Sequence, residues 1–180
     1  MTIAEDYLRR VSTTHATGEA TDETSHYPAL KQLLQAVGDE LSPPVQVVMN
    51  PKDRGAGLPD GGLFVELGTD PDNVFGDELA HLPERGAMEV KPPDHNLETL
   101  AETDQVGRYL DNYGLVLVTN LREFALVQKD EDAGGIEWLE RHSLADSAES
   151  FWKKADHPRA TAREQGELLG ACLRRILLTA

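Results

Sequence analysis

The stretch GAMEVKPP, residues 86–93, decides how the rest of the chain is read. Ala87, Met88 and Val90 give an apolar run too short for a helix, and Pro92-Pro93 stops it, which predicts a strand over 86–91. Side chains two apart leave the same face of a strand, so Glu89 and Lys91 point together. Upstream, Tyr27, Leu30, Leu33, Leu34, Val37 and Leu41 recur at helical spacing. They predict a helix that starts near Thr24 or Ser25, with Ser25 as N-cap, and ends at Gly38 and Pro43-Pro44. Two strands follow, over 45–49 and 61–67, joined by a glycine-containing turn. Downstream, one helix is predicted over 97–113. LVLVT, residues 115–119, is a continuous apolar run typical of a fully buried strand. Further strands are predicted over 123–128 and 136–144, and helices around Phe151-Trp152 and over 160–178. A helix between the third strand and LVLVT is a crossover, so those two strands should be parallel. The expected fold class is α/β: a mixed sheet flanked by helices, with core order α-β-β-β-α-β.

The 180 residues suit one domain of ordinary size. Residues 23–144 are expected to form its core. Residues 1–22 read as flexible or weakly helical, with a short helix over 3–11 and a polar loop over 12–22. Residues 145–180 read as C-terminal helices suited to link a downstream domain. Cys172 is the single cysteine, so neither an internal disulfide nor a cysteine zinc cluster is available. No run approaches the ~18 apolar residues of a membrane span, and the first residues lack a signal-peptide pattern. A cytoplasmic setting and no membrane partner are expected. The net charge of −15 argues against a nucleic-acid partner, because phosphate binding needs clustered Lys and Arg. Much of the surplus lies in segment 66–84, which has six acids and no Lys or Arg. Such runs are usually solvated loops.

Acid-x-Lys at a strand end carries a definite chemistry. Hydrolysis of a phosphodiester needs a divalent metal held by oxygen ligands, an activated water, and stabilisation of charge on the phosphate. Glu89 can take the metal while Lys91 positions the water or meets the phosphate. The Val90 carbonyl between them is a natural third ligand. Asp60 precedes the Leu63-Phe64-Val65 strand and can be aimed at the same cleft by a bend. Pro-Asp also occurs at Pro71-Asp72 and Pro93-Asp94, but only Asp60 lies between a glycine-rich turn and an apolar strand. About one acid-x-Lys triplet is expected by chance in a chain of this composition, so the motif alone is weak. On spacing alone, a solvent-facing pair on an edge strand explains Glu89 and Lys91 equally well.

GAGLPDGGLFV, GAMEVKPP and TDQVGRYLDNYGLVLVTNLREFALV together resemble the PD-(D/E)xK nuclease superfamily. More narrowly, they resemble the N-terminal nuclease domain of type ISP-like restriction-modification enzymes, where a nuclease is fused to a DNA methyltransferase and often to a helicase-like ATPase. The resemblance spans roughly 23–144 and implies a restriction-endonuclease-like fold. It implies a magnesium-dependent DNA endonuclease of phage defence, with Mn²⁺ as a substitute ion and double-stranded DNA as substrate. Asp60 and Glu89, with Val90, would hold the metal, and Lys91 would be the catalytic lysine. Glu23 and Gln105 would support the metal site. Methyltransferase and ATPase domains would lie downstream in a longer chain, which the amphipathic helix ending near Ala180 would suit.

Other residues carry less. The six histidines, His15, His26, His81, His95, His142 and His157, show no i, i+4 pair and are expected at the surface or at helix starts. Cys172 is expected to be inert core. The glycines at 55, 57, 61 and 62 precede a strand and lack a following Lys-Ser/Thr, which excludes a phosphate loop. Lys52, Arg54, Arg108 and Arg122 are candidates for DNA backbone contacts, with a solvated surface as the equal alternative. The charge leaves a second function class open: a catalytically silent interaction module, or an acidic mimic of DNA.

Overall fold

The computed structural model describes residues 1–20, 23–53, 55–65 and 83–180. Arg54, His81 and nearly all of the acidic segment 66–84 therefore lie outside the described residues.

Among the described residues, six strands form one sheet in chain order: β1 (Val45–Met49), β2 (Gly61–Val65), β3 (Ala87–Val90), β4 (Leu115–Thr119), β5 (Glu123–Lys129) and β6 (Ile136–Ser143). All neighbours are antiparallel except β3 and β4, which are parallel. That is the expected α/β class, with the expected crossover.

Alternation along the central strands builds a core on each face. Met88, Val90, Leu117, Phe124 and Leu126 face one way and pack with α1 (Ile3–Ala16), α2 (Tyr27–Gly38), α5 (Ala148–Ala155) and α6 (Pro158–Thr179). Ala87, Val116, Val118, Ala125 and Val127 face the other way, against α3 (Leu97–Ala101) and α4 (Asp104–Tyr113). Glu89 shares the face of Ala87, which turns it toward α4.

Several boundaries differ from expectation. In the N-terminal segment, residues 3–16 are a full helix rather than a weak one: α1 runs to Ala16, five residues past the expected end, and is capped by Thr2 accepting from the Glu5 N–H. Ala4, Tyr7, Leu8 and Val11 form a buried stripe at i, i+3, i+4 and i+7. The Tyr7 hydroxyl reaches across the core to donate to the Leu121 carbonyl, 2.6 Å away. Ser25 is not the N-cap of α2; a 3-10 turn over Thr24–His26 precedes it, and Pro28 sits in the first turn. The helix expected over 97–113 is two helices. The Thr103 hydroxyl accepts from the Val106 N–H and starts α4 afresh. The C-terminal helices belong to the main core, where Leu169, Cys172, Leu173, Ile176 and Leu177 of α6 are buried. The Arg85 guanidinium donates to the carbonyls of Leu178 and Ala180, so a cation from the β2–β3 connection closes the C-terminus of α6.

Gly86 sets the start of β3. Its φ is +99°, and a Cβ there would lie 2.6 Å from the Leu115 carbonyl oxygen, so only glycine lets β3 enter this close to β4. Among the described residues, no helix is long and apolar enough to cross a membrane.

Candidate active site

The site forms where β2 and β3 part. Their ladder pairs Gly62 with Ala87 and Gly61 with Met88. Continuing that register sets Asp60 opposite Glu89. Facing residues of an antiparallel pair project to the same side, with Cβ atoms roughly 4.5–5.5 Å apart. The chain bends at Pro59-Asp60, and the Asp60 carboxylate takes the role of a ladder acceptor: its Oδ2 receives the Val90 N–H at 2.8 Å. The Asn50 N–H donates to the Asp60 carbonyl at 2.8 Å, which closes the loop between β1 and β2 and fixes where Asp60 stands.

Lys91 returns over the same strand end. Its Nζ donates to Glu89 Oε1 at 2.6 Å and to the Val90 carbonyl at 2.9 Å. Glu23, at the start of the turn before α2, lies 3.5 Å from the same ammonium. The Tyr27 hydroxyl donates to Glu23 Oε1 at 2.8 Å. From the other face, Gln105 Nε2 donates to Glu89 Oε2 at 3.0 Å and to the Tyr109 hydroxyl at 2.8 Å. Glu23, Asp60, Glu89, Val90, Lys91 and Gln105 are thus brought into one cluster from four separate chain segments.

The electrostatics follow from burial. Glu89 is only 1 % exposed, and desolvation, with the neighbouring charge of Asp60, pushes its pKa up to about 7. Lys91 works against that rise. Burial pulls the Lys91 ammonium down, but the hydrogen bond and charge of Glu89, with Glu23 and Asp60, lift it above its ordinary value. Tyr27 is held well above the usual phenol range by burial and then by hydrogen bonding to Asp60 and Glu23. It therefore remains a donor to the acidic cluster.

Can these residues hold a metal? Among the described residues, no three His, Cys, Asp or Glu side chains gather as a ready cage. The donor set here is different: two carboxylates and a backbone carbonyl. The Lys91 ammonium acts as a stand-in, since one cationic atom already bridges Glu89 Oε1 and the Val90 oxygen. Two hard oxygens converging on one cation, with Asp60 alongside, suit Mg²⁺ or Mn²⁺ rather than a thiophilic ion.

The remaining sequence candidates separate. Lys52 and Arg108 are exposed, Lys52 in the loop that ends at Asp60 and Arg108 one turn beyond Gln105 on α4. Arg122 is not free for a backbone phosphate. Its guanidinium donates to the carbonyls of Pro93 and Ala145 and pairs with Glu123 at 2.7 Å, so it braces the chain after Lys91. Two tyrosine hydroxyls also belong to the cluster. Tyr27 falls in the apolar stripe of α2, and Tyr109 is buried beside Val106 and Leu110 on α4, so period alone reads each as core. Their hydroxyls were the available signal, because a buried phenol needs a polar partner.

No family model matches the chain, and no curated protein matches it. Among solved structures, it is similar to a chain of a DrdV–DNA complex determined by cryo-EM, with 19% sequence identity and a TM-score of 0.54 over 85% of this chain and 94% of that one. At that identity the likeness is one of fold: this mixed sheet with its flanking helices also occurs in a chain of that complex.

Proposed function

We propose that this chain is a metal-dependent endonuclease domain that hydrolyses phosphodiester bonds in double-stranded DNA. The observation that carries the reading is the convergence of Lys91 Nζ on Glu89 Oε1 and the Val90 carbonyl, with Asp60 tied to the Val90 N–H. The resemblance of the three quoted motifs to PD-(D/E)xK nucleases supports it. So does a fold shared with a chain of a DNA complex.

Asp60, Glu89 and the Val90 carbonyl would hold Mg²⁺, or Mn²⁺ in its place. A cation bound there lowers the pKa of an attacking water and draws charge from the phosphoryl oxygens. The Lys91 ammonium, which donates to Glu89 Oε1 and the Val90 carbonyl, would orient the water or meet the phosphate. Gln105 keeps Glu89 Oε2 in place, so Oε1 is the oxygen left to change partner. Glu23, oriented by the Tyr27 hydroxyl, would hold Lys91 near the strand end.

The acidity of the chain predicts weak DNA affinity on its own. DNA selection would then fall to other domains of a restriction-modification or phage-defence system, such as a methyltransferase or ATPase. Lys52 and Arg108 flank the cleft as candidate phosphate contacts.

The test is plasmid nicking at low salt with Mg²⁺ or Mn²⁺, comparing the parent with Lys91→Ala and Asp60→Ala. Each variant is expected to lose at least ~10²-fold in rate. Cutting at the parental rate by either variant overturns the assignment.

A further inference from the structure

The two segments that carry Glu23 and Lys91 run on past the site and wall a cavity. Its volume is about 190 Å³, and His15, His26, Pro92, Pro93, Asp94 and Trp152 line it. Pro92 follows Lys91 directly, and His26 lies three residues after Glu23. Chain geometry keeps Pro93 within ~8 Å of the Lys91 backbone. That is about two steps along a nucleic-acid strand at ~3.4 Å each.

Flat rings define this cavity. The exposed His15 imidazole, on the last turn of α1, lies parallel to the half-buried Trp152 indole of α5. Their centroids are 3.7 Å apart and their planes differ by 3°. His26 stands against the same indole at 5.7 Å and 41°. The opposite wall is braced rather than loose: Arg122 Nε donates to the Pro93 carbonyl, and Asn120 Nδ2 donates to that of His95. Asp94 is 75% exposed, so its carboxylate reaches solvent beside the prolines. An acid there repels a phosphate but accepts from an amino group, as carboxylates do from the exocyclic amines of bases. The volume lies below the roughly 300 Å³ at which clefts for drug-sized ligands begin. It admits one planar heterocycle and excludes a paired duplex.

We propose that this cavity is a nucleobase subsite. It takes the base of a nucleotide next to the scissile phosphate, unpaired or turned out of the duplex. The base stacks on the His15–Trp152 platform with its amino edge toward Asp94. Aromatic platforms bind bases of any sequence because each base has a π-face, and a side chain that stacks on a displaced base holds it out of the helix. The assignment rests on the nuclease reading of the neighbouring site.

The experiment is a fluorescence titration in EDTA with the Trp138→Phe chain, in which Trp152 is the remaining tryptophan. The probes are deoxyadenosine, deoxycytidine, thymidine, an oligodeoxyadenylate strand and its abasic counterpart. Saturable quenching is expected with deoxyadenosine and deoxycytidine, several-fold weaker with thymidine, and none from the abasic strand. His15→Ala, at an exposed position where folding is not at stake, should weaken nucleoside binding about ten-fold, and Trp152→Leu should weaken oligodeoxyadenylate binding at least as much, read by anisotropy of a labelled strand. Absence of saturable quenching by every nucleoside, equal quenching by the abasic strand, or parental affinity in His15→Ala overturns the subsite. The titration needs no metal and reads no cleavage, so its failure is distinct from undiminished plasmid nicking by Lys91→Ala.

Discussion

Lys91 Nζ sits 2.6 Å from Glu89 Oε1, on a carboxylate whose own burial raises its affinity for a proton to a pKa of about 7. The two residues are neighbours on one strand face, yet their pairing is not a surface ion pair. Glu89 is buried, and Asp60 stands beside it with the same sign of charge. A buried acid pressed by another acid is an unfavourable arrangement for the fold. It is a useful one for a site that must exchange a proton or an ammonium for a divalent cation.

Stability should therefore fall with pH through this residue. The ordinary value for Glu89 is 4.5 and its folded value about 7. As pH rises between these values, the unfolded chain releases the proton first, so Glu89 stabilises the fold below that window and loses its contribution across it. Glu89→Gln removes the slope. Relative to the parent, it should gain roughly 1–3 kcal/mol between about pH 4 and about pH 8. Thermal denaturation at both pH values measures the difference, and an unchanged difference would refute the burial argument.

Cation binding should displace the Glu89 proton. Near pH 6, Mg²⁺ uptake is expected to release up to about one proton, and near pH 8 close to none. Calorimetry in two buffers of unlike ionisation enthalpy reads the number directly. Buffer-independent heats at the lower pH would remove Glu89 from the ligand set.

Tyr27→Phe deletes one oxygen. It should lower nicking by about ten-fold, because Glu23, which pairs with Lys91, loses an orienting donor. Stability should change by no more than ~1.5 kcal/mol, the usual net worth of one hydrogen bond. Parental rates with this variant would make Tyr27 a packing residue only.

The N-terminal helix should behave as core. Leu8 is fully buried against the main cluster, so Leu8→Ala is expected to cost about 2–5 kcal/mol in denaturant unfolding. A dispensable arm would tolerate it with a change below ~0.5 kcal/mol.

Periodicity and local chemistry were enough to determine the α/β class, all six strands and the parallel crossover between β3 and β4. Each of those depends on neighbours in sequence: a stripe of leucines, a run of valines, two prolines. The Glu89–Lys91 spacing is local in the same sense. What escaped this reading is partly local capping and partly contact between distant segments. α1 continues five residues past Val11, its last buried residue, and nothing in the polar run there announces it. The break at Thr103 is a capping choice within an otherwise continuous pattern. Arg122 reads as a candidate phosphate contact because its two carbonyl partners, on Pro93 and Ala145, are far away in the chain. The tyrosines Tyr27 and Tyr109 satisfied a helical stripe and the polar cluster at once, and period alone hides the second role. The sequence by itself singled out Asp60, Glu89 and Lys91 as candidates for the chemistry. Tertiary structure decided that they meet: the β2–β3 register sets Asp60 opposite Glu89, and burial between β3 and α4 makes that acid hold its proton near neutrality.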